Sequence, residues 1–188
     1  MQKWETEDGI IFLKKIGLKK GDKVLDFGAR VGHYTIPASY LVGRKGQIVA
    51  VDKDTEGLGE LEQKLREKHL SHIQIIKISG EIDLDFEKGS FDAILLYDVL
   101  HYLSSKQRSE LYENAWILLK PGGLLSVYPK HLQGDSPSQY FAELKWDDVQ
   151  YEIEECGFVY TRKECDLLSH DDELIPGCVF NFKKPDQI

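Results

Sequence analysis

The stretch VLDFGARVGHY, Val24 to Tyr34, decides how the rest of the chain reads. Val24, Leu25 and Phe27 form a short apolar run of strand type around Asp26, and a glycine-bearing bend follows at once. A buried strand that leads through such a bend into a helix is how a doubly wound α/β sheet sets backbone beside a ligand. Gly28 and Gly32 permit positive φ and close approach, and the N-terminal end of the next helix favours a carboxylate or phosphate. Arg30, at the centre of the bend, is the anomaly. Arginine tolerates positive φ poorly, so the sequence predicts a bend that departs locally or runs at negative φ throughout. Its guanidinium has three readings: pairing with a ligand carboxylate, pointing to solvent, or crowding the site.

Strand-like and helix-like segments alternate on both sides of this stretch. Trp4 to Ile16 reads as an amphipathic opening helix, followed by the turn GLKKGD. Lys23 to Phe27 is the first strand, and Tyr34 to Val42 a helix that admits Pro37 in its first turn. QIVAV, Gln47 to Val51, is the second strand and ends at Asp52. Thr55 to His69 places Leu58, Leu61 and Leu65 on one helical face, with Gly57 and Gly59 weakening its start. Ile73 to Ile78 and Phe91 to Tyr97 are the third and fourth strands. Ser104 and Gln107 make a capping box for a helix to Leu119, stopped by Pro121-Gly122-Gly123, and Leu124 to Tyr128 is the fifth strand. Trp146 to Cys156 reads as a helix. Phe158 to Asp166 and Gly177 to Lys183 then form two strands with no helical crossover, the second alternating as an antiparallel strand does. The expectation is a single α/β domain over residues 1–188, with a doubly wound, mostly parallel seven-stranded sheet and an antiparallel C-terminal hairpin. Residues 1–20 would lie over the site, 21–128 form its core, and 129–188 supply the opposite side.

Composition narrows the function classes. Net charge −8 and a pI near 5.3 argue against a nucleic-acid partner, which needs a concentrated basic face. Cys156, Cys165 and Cys178 show no CxxC pairing, and their odd number fits neither a disulfide framework nor a zinc site. The N-terminus lacks a secretory h-region, and no apolar run approaches the ~20 residues of a membrane span. The expectation is a soluble, cytoplasmic chain.

The dinucleotide pattern G-x-G-x-x-G fails, because Arg30 and His33 occupy its later glycine positions and Asp26 charges the strand end. VLDFGARVG instead resembles the VLDxGxGxG signature of class I S-adenosylmethionine-dependent methyltransferases. IVAVDKD resembles that family's second motif, LLYDVLHYL its fourth-strand motif and LLKPGGLLSVY its fifth-strand motif. DLDFEKGSFDAILLYDVLHYL is similar to the small-molecule branch (type 11, quinone-biosynthesis-like), and the resemblance runs from about Lys14 to Tyr128. It implies a Rossmann-like methyltransferase fold with S-adenosylmethionine as cofactor and S-adenosylhomocysteine as product. Asp26, Gly28 and Gly32 would surround the methionine part, with Arg30 close by. Asp52 would accept from the ribose hydroxyls, and Lys53 would lie beside the adenine. Gly80 stands where the family usually has an acid near the adenine amino group, with Glu81 one place later. Tyr97 and Asp98 would stand near the sulfonium and the acceptor.

Methyl transfer needs alignment above all, and a general base only where the acceptor keeps its proton. Candidate catalytic groups are His101, His131 and Tyr97, with His33 and Tyr128 as further bases. The (N/D)PP(Y/F) signature of amino methylation is absent, since YDVL stands there, and so is the PC pair of cytosine C5 methylation. The acid run HDDE, His170 to Glu173, is expected to be solvated in a hairpin loop spanning Leu167 to Pro176, and no metal site is expected. That loop, the N-terminal helix and Pro129 to Lys145 would bound the cleft, with Trp4, Tyr128, Tyr140, Phe141 and Trp146 as aromatic lining. With no inserted lid, a small-molecule acceptor in a partly open cleft is the reading, a homodimer partner being another way to close it. Two rivals stay open: a degenerate, non-catalytic binding subunit, and a nicotinamide-dependent reductase.

Overall fold

A computed structural model describes residues 1–80, 82, 84–132 and 144–186. One seven-stranded sheet runs in the order β3-β2-β1-β4-β5-β7-β6. Its parallel part comprises β1 (Lys23–Phe27), β2 (Gln47–Asp52), β3 (Ile73–Lys77), β4 (Phe91–Tyr97) and β5 (Leu119–Tyr128). The antiparallel hairpin of β6 (Val159–His170) and β7 (Glu173–Lys183) joins along β5. This is the expected doubly wound architecture.

The central strands β1, β2 and β4 are nearly all apolar because both of their faces are covered. In β4, Ala93, Leu95 and Tyr97 enter one core with Phe12, Leu13, Ile16 and Val42, while Ile94 and Leu96 enter the other with Leu111, Leu118, Val149 and Ile153. The covering helices are α1 (Gly9–Ile16), α2 (Thr35–Val42), α3 (Thr55–Glu67), α4 (Ser105–Leu118) and α5 (Trp146–Glu155). A π-helical turn, Trp4–Asp8, leads into α1, so the opening helix is not regular throughout. The capping box of Ser104 and Gln107 is present at the start of α4. No described helix is long and apolar enough to cross a membrane.

Two expectations change. The hairpin is longer than its sequence suggests: Leu167 to Pro176 is strand except for the two-residue turn Asp171-Asp172. Pro176 argues against a strand from sequence alone, yet it lies where β7 has a partner on one side only, because β5 reaches no further than Phe180. Since β7 is antiparallel to β5, the hairpin tip projects past the carboxyl ends of the parallel strands. The second change follows from register. Cys165 stands directly opposite Cys178 in the hairpin, and the two form a disulfide across a separation of 13 residues. Spacing along the chain conceals a cross-strand neighbour of this kind.

Candidate functional site

A crevice of about 610 Å³ opens at the carboxyl ends of β1, β2 and β4, a size typical of a small-molecule site. Its floor is built by the bend after β1. The Gly28 and Ala29 amides both donate to the Val51 carbonyl, keeping the chain bound to β2 beyond the strand end. The Gly32 amide then donates to the Ala29 carbonyl, and the Ile36 amide to Gly32, which starts α2. Gly28 has φ 92 and Gly32 φ 86. A Cβ on Gly28 would stand 2.1 Å from Val99 Cγ1, so the glycine lets the β4 loop pack directly against the bend.

Arg30 excludes one of the two expected paths, the bend at negative φ throughout. It adopts φ 46, in the left-handed region. What holds it there is Asp52, whose Oδ2 accepts the Arg30 amide at 2.8 Å while Oδ1 accepts the Asp54 amide at 2.8 Å. One carboxylate thereby ties together the loops after β1 and β2, and each oxygen keeps a further lone pair for a ligand hydroxyl. Gly57 has its reason here too: a Cβ on it would stand 3.2 Å from the Arg30 carbonyl carbon.

The Arg30 side chain leaves the crevice for its rim. Its Nη1 donates to Asp171 Oδ1 at 2.8 Å, and its Nε stands 3.8 Å from Asp54 Oδ2. The rest of the hairpin tip follows. The Tyr34 hydroxyl donates to the Ser169 carbonyl at 2.9 Å, and His33 Nε2 lies 3.4 Å from Asp172 Oδ1. Leu168 is buried in the core containing Trp4, Tyr34 and Tyr97. The acid run HDDE is therefore not uniformly solvated: His170 is largely buried and Asp171 is paired, although Asp172 stays exposed.

Asp26 lies fully buried in the crevice wall and accepts from Thr35 Oγ1 at 2.6 Å. Burial pushes its carboxyl up to about 6; Thr35 opposes that rise and Asp52 adds to it. Lys53 lines the crevice with its ammonium 5.8 Å from the exposed Tyr102 ring. Gly80 lines it as well, at φ 112. Glu81 lies outside the described residues, as do Tyr140 and Phe141.

The far wall gathers titratable groups. Asp98, just past β4, has φ 57, and its Oδ2 stands 2.6 Å from His170 Nδ1. Its Oδ1 lies 3.6 Å from His101 Nδ1 and 3.6 Å from His131 Nε2. The His131 ring packs on His101 at 4.5 Å and on His170 at 4.8 Å between centroids. Burial lowers His101 to about 4, with His131, His170 and Lys130 acting in the same direction. Tyr97 lines the crevice, but its hydroxyl is bonded to Ser126 Oγ at 2.7 Å and is held well above the usual tyrosine range by burial. Tyr128 is buried, its ring against Gly177. His33, His101 and His131 were thus visible in the sequence. His170 and Asp171 were missed as site residues, and the signal available was a two-residue Asp-Asp turn between segments of strand character.

Comparison with known proteins adds ancestry. A protein named Probable cobalt-precorrin-6B C(15)-methyltransferase (decarboxylating), from Saccharolobus solfataricus, is 32% identical over 117 residues, covering 61% of this chain and 56% of the relative. Ubiquinone/menaquinone biosynthesis C-methyltransferase UbiE of Yersinia enterocolitica is 30% identical over 112 residues, 59% of this chain and 43% of the relative. The chain thus spans about half the length of the curated relatives it matches. The crystal structure of a SAM dependent methyltransferase from Aquifex aeolicus superposes with a TM-score of 0.74 at 23% identity, covering 97% of this chain and 92% of that one. The family model described as a methyltransferase domain matches residues 24–123, from the first residue of the quoted stretch through the glycines after α4. With more than half of its 188 residues matched, the chain belongs to the methyltransferase domain family.

Proposed function

We propose that the protein is an S-adenosylmethionine-dependent methyltransferase that moves a methyl group to a small-molecule acceptor by in-line displacement. The observation that carries this reading is one continuous crevice bounded by the Gly28–Gly32 bend, the Asp52 carboxylate and the Asp98 side chain. The donor set fits the cofactor. Asp52, already oriented by two backbone amides, accepts from the ribose hydroxyls. Lys53 and Tyr102 flank the adenine, Gly80 leaves open space beside it, and Asp26 with Gly28 and Gly32 forms the wall at the methionine end. When bound, S-adenosylmethionine supplies a methyl group already activated on a sulfonium.

The chain's own residues align and enclose. Two reactants held in one geometry gain up to ~7–11 kcal/mol over free encounter. The hairpin tip, fastened through Arg30, His33 and Tyr34, narrows the opening and limits water. Arg30, the residue that motivates the degenerate reading, engages Asp171 and Asp54 at the rim, which supports a crevice left clear for a ligand. In this reading Arg30 is a fastener for the hairpin and not a partner of the cofactor carboxylate.

Calorimetry with S-adenosylmethionine, S-adenosylhomocysteine and NADH, followed by transfer of a labelled methyl group to an acceptor panel, tests the proposal. Binding of the first two ligands with turnover is the expected result. Binding of NADH alone, or of none, overturns it.

A further inference from the structure

The acceptor side of the crevice carries a cluster that methyl transfer by alignment alone leaves unexplained. Asp98 leaves the end of β4, His131 follows β5, and His170 ends β6. One ligand atom from each lies within 4.8 Å of the others. Asp98 Oδ1 is buried and makes no hydrogen bond among the described residues, yet two imidazole nitrogens stand 3.6 Å from it. The left-handed backbone of Asp98 fixes the carboxylate at this point, a strained conformation of the kind that persists at functional sites.

We propose that Asp98, His131 and His170 bind one divalent transition-metal ion of the zinc type. The donor set decides the class: two imidazoles and one carboxylate suit zinc and its first-row neighbours, whereas magnesium and calcium take oxygen ligands. The dimensions agree. Zinc bonds of ~2.0–2.1 Å place tetrahedral donors roughly 3.4 Å apart, and Asp98 Oδ1 and His131 Nε2 are 3.6 Å apart. The 2.6 Å contact of Asp98 with His170 Nδ1 opens to admit the ion, which His170 binds through Nδ1 as the neutral tautomer protonated on Nε2. That Nε2–H faces Asp171 Oδ2 at 3.6 Å, the carboxylate–histidine arrangement that orients metal-bound imidazoles. His101, packed on His131, completes the imidazole wall.

Three protein ligands leave open coordination positions, and the residues place them toward the crevice, since Asp98, His131 and His170 all line it. Resting on the methyltransferase reading, the acceptor class follows: a small molecule with an ionisable hydroxyl or thiol. On coordination its pKa falls, and its proton leaves to solvent without a protein base.

The test is metal uptake by the full chain. Stripped protein is titrated with Co²⁺, followed by its visible ligand-field absorption, and then with Zn²⁺ in competition. About one equivalent per chain is expected, weakened about tenfold or more in His131→Ala, His170→Ala and the near-isosteric Asp98→Asn. Far-ultraviolet circular dichroism confirms that each variant is folded. Cys156→Ser binds as wild type does. Uptake of less than roughly a tenth of an equivalent, retention of affinity in the folded His131→Ala/His170→Ala protein, or loss in Cys156→Ser overturns the site. Calorimetry with S-adenosylhomocysteine on the same stripped samples reads the other proposal independently. Metal uptake without nucleoside binding retains the metal site and defeats the methyltransferase reading, and the converse result does the reverse.

Discussion

Arg30 Nη1 donates to Asp171 Oδ1 at 2.8 Å across 141 residues of chain, joining the bend after β1 to the tip of the terminal hairpin. Both residues have left-handed backbones, at φ 46 and φ 49, so each end of the bridge is fixed by a costly conformation. Asp98, the carboxylate opposite, is a third such residue on the same crevice.

Arg30→Ala removes an exposed pair and is expected to cost about 0–1 kcal/mol. Arg30→Gly loses the same pair but relieves the backbone, and is expected to be about 1 kcal/mol more stable than the alanine variant after allowing for unfolded-chain entropy. Urea denaturation of the two proteins measures the difference, and equal midpoints would show that relief of the backbone does no more than offset the unfolded-chain entropy that glycine adds. Amide exchange over residues 168–173 should quicken in both. S-adenosylhomocysteine affinity should drop by less than the roughly 1.5–3 kcal/mol of a lost charged hydrogen bond. A larger drop would return Arg30 to the cofactor.

Asp52→Asn keeps the shape of the side chain and removes its charge. Affinity for S-adenosylhomocysteine is expected to fall about tenfold or more, because charge-assisted bonds to the ribose are lost. Stability should fall by only about 1–2 kcal/mol, since one amide oxygen still accepts from a backbone donor. Unchanged affinity in calorimetry removes the ribose assignment.

Asp26 gives a pH signature. Its carboxyl is raised from 3.8 to about 6 by burial, so between those values the folded state holds a proton that the unfolded state releases. Stability contributed at this position therefore declines as pH rises through that window, by about 3 kcal/mol in total. Asp26→Asn abolishes the decline. The variant should gain on wild type between pH 4 and pH 7 in denaturant titrations, and a constant difference across that range would contradict the buried, protonatable state.

Gly28→Ala meets both a positive φ and the Val99 side chain, where the new Cβ would be 2.1 Å from Cγ1. A loss of about 2–5 kcal/mol is expected from the two effects. Adding Val99→Ala should return the packing share, about 1–3 kcal/mol, and leave the backbone share. No recovery in the double variant would mean that the turn conformation alone requires glycine.

The parallel strands were legible along the chain because buried strands announce themselves as apolar runs between helical patterns, and β1, β2 and β4 are covered on both faces. The glycines and acids that follow β1 and β2 were legible for a related reason, since such turns dictate their own chemistry locally. Arg30 was legible as an anomaly, but its conformation was not. The Asp52 acceptor that makes φ 46 tenable lies 22 residues away.

Sequence by itself marked the strands and helices, the glycines at 28 and 32 and the acid at Asp52, signals that each lie in a short stretch of chain. Tertiary structure alone decided the reach of the hairpin, the pairing of Cys165 with Cys178, and the meeting of Asp98, His101, His131 and His170. The physical reason is register. Which residue faces which across β6 and β7, and how far the ribbon extends beyond β5, is set by cross-strand hydrogen bonds and by Leu168 entering the core, and the Asp-Asp turn beside His170, the one local signal, records neither the reach past β5 nor the burial of Leu168.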